Sequence, residues 1–282
     1  MSDIQLVSEH GCYGGVQRFY KHASRENRGP MKFSVYLPPQ AKSGKVPVLY
    51  YLSGLTCTEE TFPIKSHAQQ SASELGIMLV APDTSPREPR LPGDADSWDF
   101  GQGAGFYVDA TQAPWSGHYR MYSYVTRELP ELVTANLPAL AGVASIFGHS
   151  MGGHGALVCA LRNPGQYRSV SAFAPIAAPM QCPWGKKAFG GYLGNHQDAW
   201  REYDASELVA RKAFPGLIRI DQGSADQFLA EQQLLPEKFS AAAAKSGQKL
   251  DLRMHPGYDH GYYFIQSFMA DHLRHHAAAL KG

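Results

Sequence analysis

Apolar residues in this chain fall into two kinds of run. Over residues 16–22 (VQRFYKH) and 31–37 (MKFSVYL) they partly alternate with polar ones, the period-two pattern of strands with one face on a core. These two stretches predict an antiparallel, hairpin-like sheet edge. Further on the alternation disappears: VPVLYYL (46–52), IMLVAP (77–82), ASIF (144–147), SVSAFAP (169–175) and GLIRID (216–221) are short, nearly continuous apolar runs. Such runs suit strands covered on both faces in a parallel sheet. LDLRMH (250–255) alternates again as a last strand. Helices are expected at 64–75, 122–137, 151–162, 229–246 and 262–279. Strands that alternate with helices predict an α/β fold, a mostly parallel sheet with helices on both faces and an antiparallel N-terminal edge. The Gly- and Pro-rich stretch 84–118 is a predicted loop of the kind that shapes a site, and 176–204 is expected to be another irregular excursion. No repeat, linker or low-complexity run divides residues 1–282, which are expected to form one domain.

Composition narrows the function classes. Hydrophobic residues make up 44% and charged residues 18%, enough for a large core. The net charge is +1, from 26 basic and 25 acidic residues, so no overall field favours nucleic acid. The N-terminus lacks a basic segment followed by a long apolar run, and nowhere are there 18 uninterrupted apolar residues, which argues against export and against a membrane span. Cys12, Cys57, Cys159 and Cys182 are scattered without a CxxC pair, as expected of reduced thiols in a cytoplasmic protein.

Chemistry concentrates at FGHSMGGHGAL (147–157). Gly148-His149-Ser150-Met151-Gly152 is a G-x-S-x-G sequence, and it lies between a predicted strand and a predicted helix, the context of a nucleophile elbow. A serine hydroxyl is a weak nucleophile and needs a base and a group that orients the base. In the chain order of α/β-hydrolases both follow downstream. The expected acid is Asp226, in the loop after strand 216–221, with Asp221 as its rival at the strand end; the expected base is His260, in the turn before the last helix. The Met151 N–H, at the start of the elbow helix, and the Leu55 N–H, after Gly54 in LSGLTCTEETF (52–62), are the expected oxyanion donors, with Thr56 a weaker alternative. Cys57 then falls beside the pocket. His149 and His154 are read as local packing or hydrogen-bonding groups. His255 belongs to a strand end, and His272, His275 and His276 to an exposed helix face. His272 and His276, spaced i, i+4, have no accompanying carboxylate motif, so no metal site is expected. Gly101, Gly103 and Gly105 lack the strand and helix of a dinucleotide fingerprint and read as loop.

Seven segments in order, YLSGLTCTEETF, PDTSPR, SWDFGQGAGFYVDAT, YRMYSYVTRELP, FGHSMGGHGAL, CPWGKKAFGGYLG and GYDHGYYFI, resemble the S-formylglutathione hydrolase (esterase D) family over nearly the whole chain. The resemblance implies an α/β-hydrolase fold, a thioesterase without cofactor, Ser150, Asp226 and His260 as catalytic triad, a glutathione thioester as substrate and a homodimer. It also implies hydrolysis of S-formylglutathione to glutathione and formate, the hydrolytic step of formaldehyde detoxification. A broad short-chain carboxylesterase is the alternative; retention of all three triad residues speaks against a noncatalytic binding protein, and the missing export signal against a secreted acyltransferase. Gly261 departs from the serine often found after the family's histidine. Lys65, Arg87, Lys186 and Lys187 are the cations considered for the glutathione carboxylates, with solvated surface the simpler reading of each.

Overall fold

The computed structural model describes residues 3–282, built around one nine-stranded sheet. In chain order the strands are β1 (Gln5–Cys12), β2 (Gly15–Ser24), β3 (Gly29–Leu37), β4 (Val46–Leu52), β5 (Met78–Pro82), β6 (Ala139–His149), β7 (Val170–Phe173), β8 (Ile218–Gly223) and β9 (Leu250–His255). They lie side by side as β1-β2-β3-β5-β4-β6-β7-β8-β9. β1, β2, β3 and β5 pair antiparallel, and everything from β5 to β9 is parallel. The continuous apolar runs are the buried central strands: every residue of β5 and β7 is buried. The expected hairpin of β2 and β3 is present, but the sheet edge is β1. Nearly all of β1 is exposed, so it carries no period-two signal to read.

The helices are α1 (Thr61–Lys65), α2 (Ala68–Leu75), α3 (Met121–Ser123), α4 (Leu129–Asn136), α5 (Met151–Arg162), α6 (Pro183–Leu193), α7 (Gln197–Arg201), α8 (Ala205–Arg211), α9 (Gln227–Ala230), α10 (Pro236–Ser246) and α11 (Tyr262–Lys281). None is long and apolar enough to cross a membrane. Three differ from the sequence expectation for local reasons. The helix expected at 64–75 is broken into α1 and α2 at His67, which has φ 56°. A π-type segment, Tyr124–Glu128, joins α3 to α4. The helix expected at 229–246 is interrupted because Leu235 is left-handed at φ 53° and Pro236, which has no N–H, starts α10 as a new first turn. The segment 176–204 is more ordered than expected: it contains α6 and α7. Three glycines in PWGKKAFGGYL lower its helix propensity, and burial of Trp184, Phe189 and Tyr192 compensates.

The C-terminal helix also corrects an expectation. His272 and His276 are fully buried, because α11 lies along β6 and β7 with that face inward. They belong to a hydrogen-bonded row. Asp221 Oδ2 is 3.2 Å from His272 Nε2, His272 Nδ1 2.8 Å from Ser171 Oγ, Ser171 Oγ 2.7 Å from His276 Nε2, and His276 Nδ1 2.8 Å from Ser169 Oγ, which is 2.8 Å from Ser145 Oγ. Arg253 closes the row with Nε and a terminal nitrogen each 2.6 Å from an Asp221 oxygen.

Candidate active site

The site forms at the C-terminal ends of β4, β6 and β8. Between β6 and α5, Ser150 sits at φ 57°, ψ −119°, a backbone conformation that L-residues avoid and that persists only when its surroundings enforce it. The enforcing contacts are visible: Ser150 N–H donates to Phe173 O (2.9 Å), and Ser150 O accepts from His154 N–H (3.0 Å) and Ile176 N–H (3.2 Å). Gly152 is required for the close approach behind the serine, because a Cβ there would lie 1.9 Å from Leu52 O. Gly54 brings the loop after β4 against the same point: its Cβ would lie 3.2 Å from Ser150 Cβ. Leu55 follows Gly54, and Met151, fully buried, opens the twelve-residue α5. The first N–H groups of a helix have no partner within it and carry partial positive charge.

Ser150 and His260 line one cavity of about 220 Å³ whose walls include Trp98, Trp184, Phe228 and Tyr262. His260 Nδ1 lies 2.6 Å from Asp226 Oδ2. Two further donors serve Asp226: Gln222 Nε2 donates to Oδ2 at 3.0 Å, and the Phe228 N–H donates to Oδ1 at 2.8 Å, capping α9. Burial raises the Asp226 carboxyl, but the bond to His260 and its charge, with Gln222 and Phe228, outweigh burial and hold it below the usual carboxylate range. The rival Asp221 faces the other way, into the buried row with His272 and Arg253. There burial is outweighed by those two partners and its carboxyl is held well below the usual range.

The remaining residues are distributed as follows. The His149 ring packs 4.4 Å from the His260 ring, and burial, reinforced by the charge of His260, holds it well below its ordinary pKa. His154 Nε2 bonds Phe106 O at 2.9 Å, and burial lowers it to about 4. His154 thus hydrogen-bonds locally, as expected, whereas His149 lines the cavity and packs on His260 with neither ring nitrogen hydrogen-bonded. Cys57 lines the cavity, and burial pushes its thiol up. Lys65 lies 5.9 Å over the Tyr262 ring at the cavity's edge. Arg87 is committed to Asp83 (2.7–3.2 Å) and to Cys57 O (3.0 Å). Lys187 bonds Ser97 Oγ at 2.7 Å and pairs with Asp99, and Lys186 is exposed. Gly261 precedes α11 with φ −83°, ordinary for any residue, and donates its N–H to Asp259 Oδ1 at 2.8 Å. Among the described residues no three His, Cys, Asp or Glu side chains converge to hold a metal ion. The sequence reading missed the aromatic walls and the Gln222 brace. Trp98, Trp184 and Tyr262 stand in the segments that carry the family resemblance, whereas Gln222 has no sequence signal of its own.

Residues 24–275 match the Esterase family model. The S-formylglutathione hydrolase of Rattus norvegicus is 57% identical over 279 residues, 99% of each chain, and that of Arabidopsis thaliana 56% over 283 residues, again 99% of each. The chain belongs to the S-formylglutathione hydrolase family. Among solved structures of that family, the S-formylglutathione hydrolase of Agrobacterium tumefaciens superposes with a TM-score of 0.95 at 49% identity, covering 98% of this chain and 99% of that one. A Staphylococcus aureus serine hydrolase at 18% identity and TM-score 0.72, covering 93% of this chain and 98% of its own, shares the α/β-hydrolase fold alone.

Proposed function

We propose that this chain hydrolyses S-formylglutathione to glutathione and formate through a formyl-serine at Ser150. The observation that carries the reading is the 2.6 Å pairing of His260 with Asp226 at a cavity that also exposes the strained Ser150, in a chain matched end to end by S-formylglutathione hydrolases. His260 Nε2 takes the serine proton as Oγ attacks the formyl carbon, and Asp226 holds the imidazole with Nδ1–H toward its carboxylate. The N–H groups of Met151 and Leu55 receive the developing oxyanion, where one such donor is worth about 10²–10³ in rate. Collapse expels the glutathione sulfur, which takes the proton from His260. Water then gives a proton to the same nitrogen as it attacks the formyl-serine, and formate leaves with Ser150 restored. The narrow aromatic cavity suits a one-carbon acyl group. Within the same reading the protein is a cytoplasmic homodimer, and the exposed edge of β1 is a surface available for pairing.

Comparison of kcat/KM for S-formylglutathione and for 4-nitrophenyl acetate tests the substrate. A strong preference for the thioester is expected; an equal or reversed preference favours a general carboxylesterase.

A further inference from the structure

The catalytic cavity, at about 220 Å³, is smaller than the ~300–1,000 Å³ typical of sites for drug-sized ligands, so most of a tripeptide thioester extends beyond it. A second cavity, of about 350 Å³, opens on the far side of the same loop: Cys57 lines the first and Thr58 the second. Its chemistry is mixed. Lys32 faces Glu59 and Lys21, Glu60 and Glu88 line the same cavity, while Asp83 and Arg87 neutralise each other at its wall. The Glu59 side chain is only 6% exposed, and Lys32 Nζ, the cation paired with it, is 3.7 Å away, too far for a hydrogen bond. The only donor turned toward it among the described residues is its own backbone N–H. Its oxygens, open to the cavity, therefore keep acceptor capacity for a donor from a ligand. A ligand ammonium group would supply both the donor and the opposite charge.

We propose that this cavity is the subsite for the zwitterionic γ-glutamyl head of the glutathione thioester, with Glu59 accepting from its ammonium and Lys32 and Lys21 pairing with the adjacent carboxylate. The proposal rests on the functional reading above and adds a recognition site to it. Reach agrees: three residues separate Leu55 from Glu59, four steps of at most ~14 Å of chain in all, and the extended distance from the thioester sulfur to the γ-glutamyl α-carbon is roughly 9 Å. It also reassigns the recognition of the substrate's charged end. Arg87, committed to Asp83 and Cys57 O, braces the wall between the two cavities, and the lysines of β2 and β3 meet the ligand.

The test pairs Glu59→Gln and Lys32→Met with three substrates: S-formylglutathione, its Nα-acetylated form, which lacks the ammonium, and 4-nitrophenyl acetate, which lacks the tripeptide. For S-formylglutathione, Glu59→Gln is expected to raise KM about ten- to a hundredfold with kcat nearly unchanged, the range for a lost charge-assisted hydrogen bond. Acetylation is expected to penalise the wild type by a similar factor and Glu59→Gln hardly at all. Lys32→Met is expected to raise KM for both thioesters. Turnover of 4-nitrophenyl acetate reports that each variant is folded with its reacting groups in place. A Glu59→Gln KM within twofold of wild type, or equal acetylation penalties in both proteins, overturns the subsite while the functional reading stands. Loss of 4-nitrophenyl acetate turnover in step with the thioester makes Glu59 structural and also overturns it. Feeble cleavage of S-formylglutathione by the wild type, beside brisk cleavage of the aryl ester, overturns the functional reading and the subsite together.

Discussion

Replacing Asp226 with Asn removes one charge and leaves the shape of the side chain intact, so its effect follows from which partners each oxygen serves. Oδ1 takes the Phe228 N–H at 2.8 Å, while Oδ2 takes both His260 Nδ1 and Gln222 Nε2. The amide oxygen of Asn best stays on the fixed backbone N–H, which turns its NH₂ toward His260. That group donates to Nδ1 and drives the imidazole into the tautomer with its proton on Nε2, where it cannot take the proton of Ser150. The same NH₂ opposes the Gln222 NH₂. Relief is close at hand, since Gln222 Oε1 is buried without a partner and can rotate in, at the cost of the Gln222 bond to Gly223 O. The fold thus accommodates Asn while the base is lost. A fall in kcat of about 10⁴, near 5 kcal/mol of barrier, is expected from the equivalent change in a serine protease. Loss of thioester absorbance follows turnover of S-formylglutathione, and a thermal melt checks folding. A folded Asp226→Asn that retains more than about a tenth of wild-type kcat refutes the triad assignment. So does a larger loss of kcat in a folded Asp221→Asn.

Other outcomes follow from the same geometry. Ser150→Ala is expected to abolish measurable turnover with the melting temperature preserved, since only one oxygen is removed from an elbow held by backbone bonds; activity within a few-fold of wild type would sink the nucleophile. Gly152→Ala drives a methyl into Leu52 O and is expected to cost about 3 kcal/mol or more, read as a depressed melting temperature or failure to accumulate as folded protein. Asp221→Asn leaves buried partners behind and is expected to lose roughly 3–5 kcal/mol, a shift of roughly 5–10 °C at neutral pH. Because the folded Asp221 carboxyl titrates far below its unfolded value of about 3.9, its contribution is full above that value and fades as pH falls toward the folded one. The gap in melting temperature between wild type and Asp221→Asn must therefore narrow on acidification, and a gap constant with pH contradicts the pairing. Cys57→Ser is expected to keep kcat/KM within about threefold because no step uses the thiol, whereas a maleimide on Cys57 blocks the cavity and labels faster as pH rises through its elevated pKa.

Local patterns in the sequence were enough to reveal the parallel core and the elbow, because buried strands and a cramped strand-to-helix turn leave local signatures. Apolar runs mark β4 to β8, and glycines bracket Ser150 where backbones touch. Asp226 and His260 could be named from their places after β8 and β9, although their 2.6 Å contact is closed only by folding. What stayed hidden depends on partners far along the chain. β1 is a strand because β2 supplies its hydrogen bonds, not because its side chains alternate. His272 and His276 look like helix-surface residues until Ser169 and Ser171, about a hundred positions earlier, turn up opposite them. Glu59, in TEET, likewise carries no local signal for its burial, which Lys32 and Asp83 accompany from elsewhere in the chain.

The row of buried groups under β7 also has a polarity. A carboxylate only accepts, so His272 must carry its proton on Nε2, facing Asp221, and its Nδ1 must accept the hydroxyl proton of Ser171. Ser171, having spent its proton, accepts from His276, which therefore also bears its proton on Nε2 and leaves Nδ1 to accept from Ser169. Ser169 in turn accepts from Ser145. Burial keeps both imidazoles neutral, so each has one proton to place and no choice about where. A single negative charge within β8 thus dictates the direction of every O–H and N–H as far as β6. Nitrogen chemical shifts would show two rings frozen in the same tautomer, and Asp221→Asn, whose amide can either donate or accept, would allow the whole file of protons to reverse.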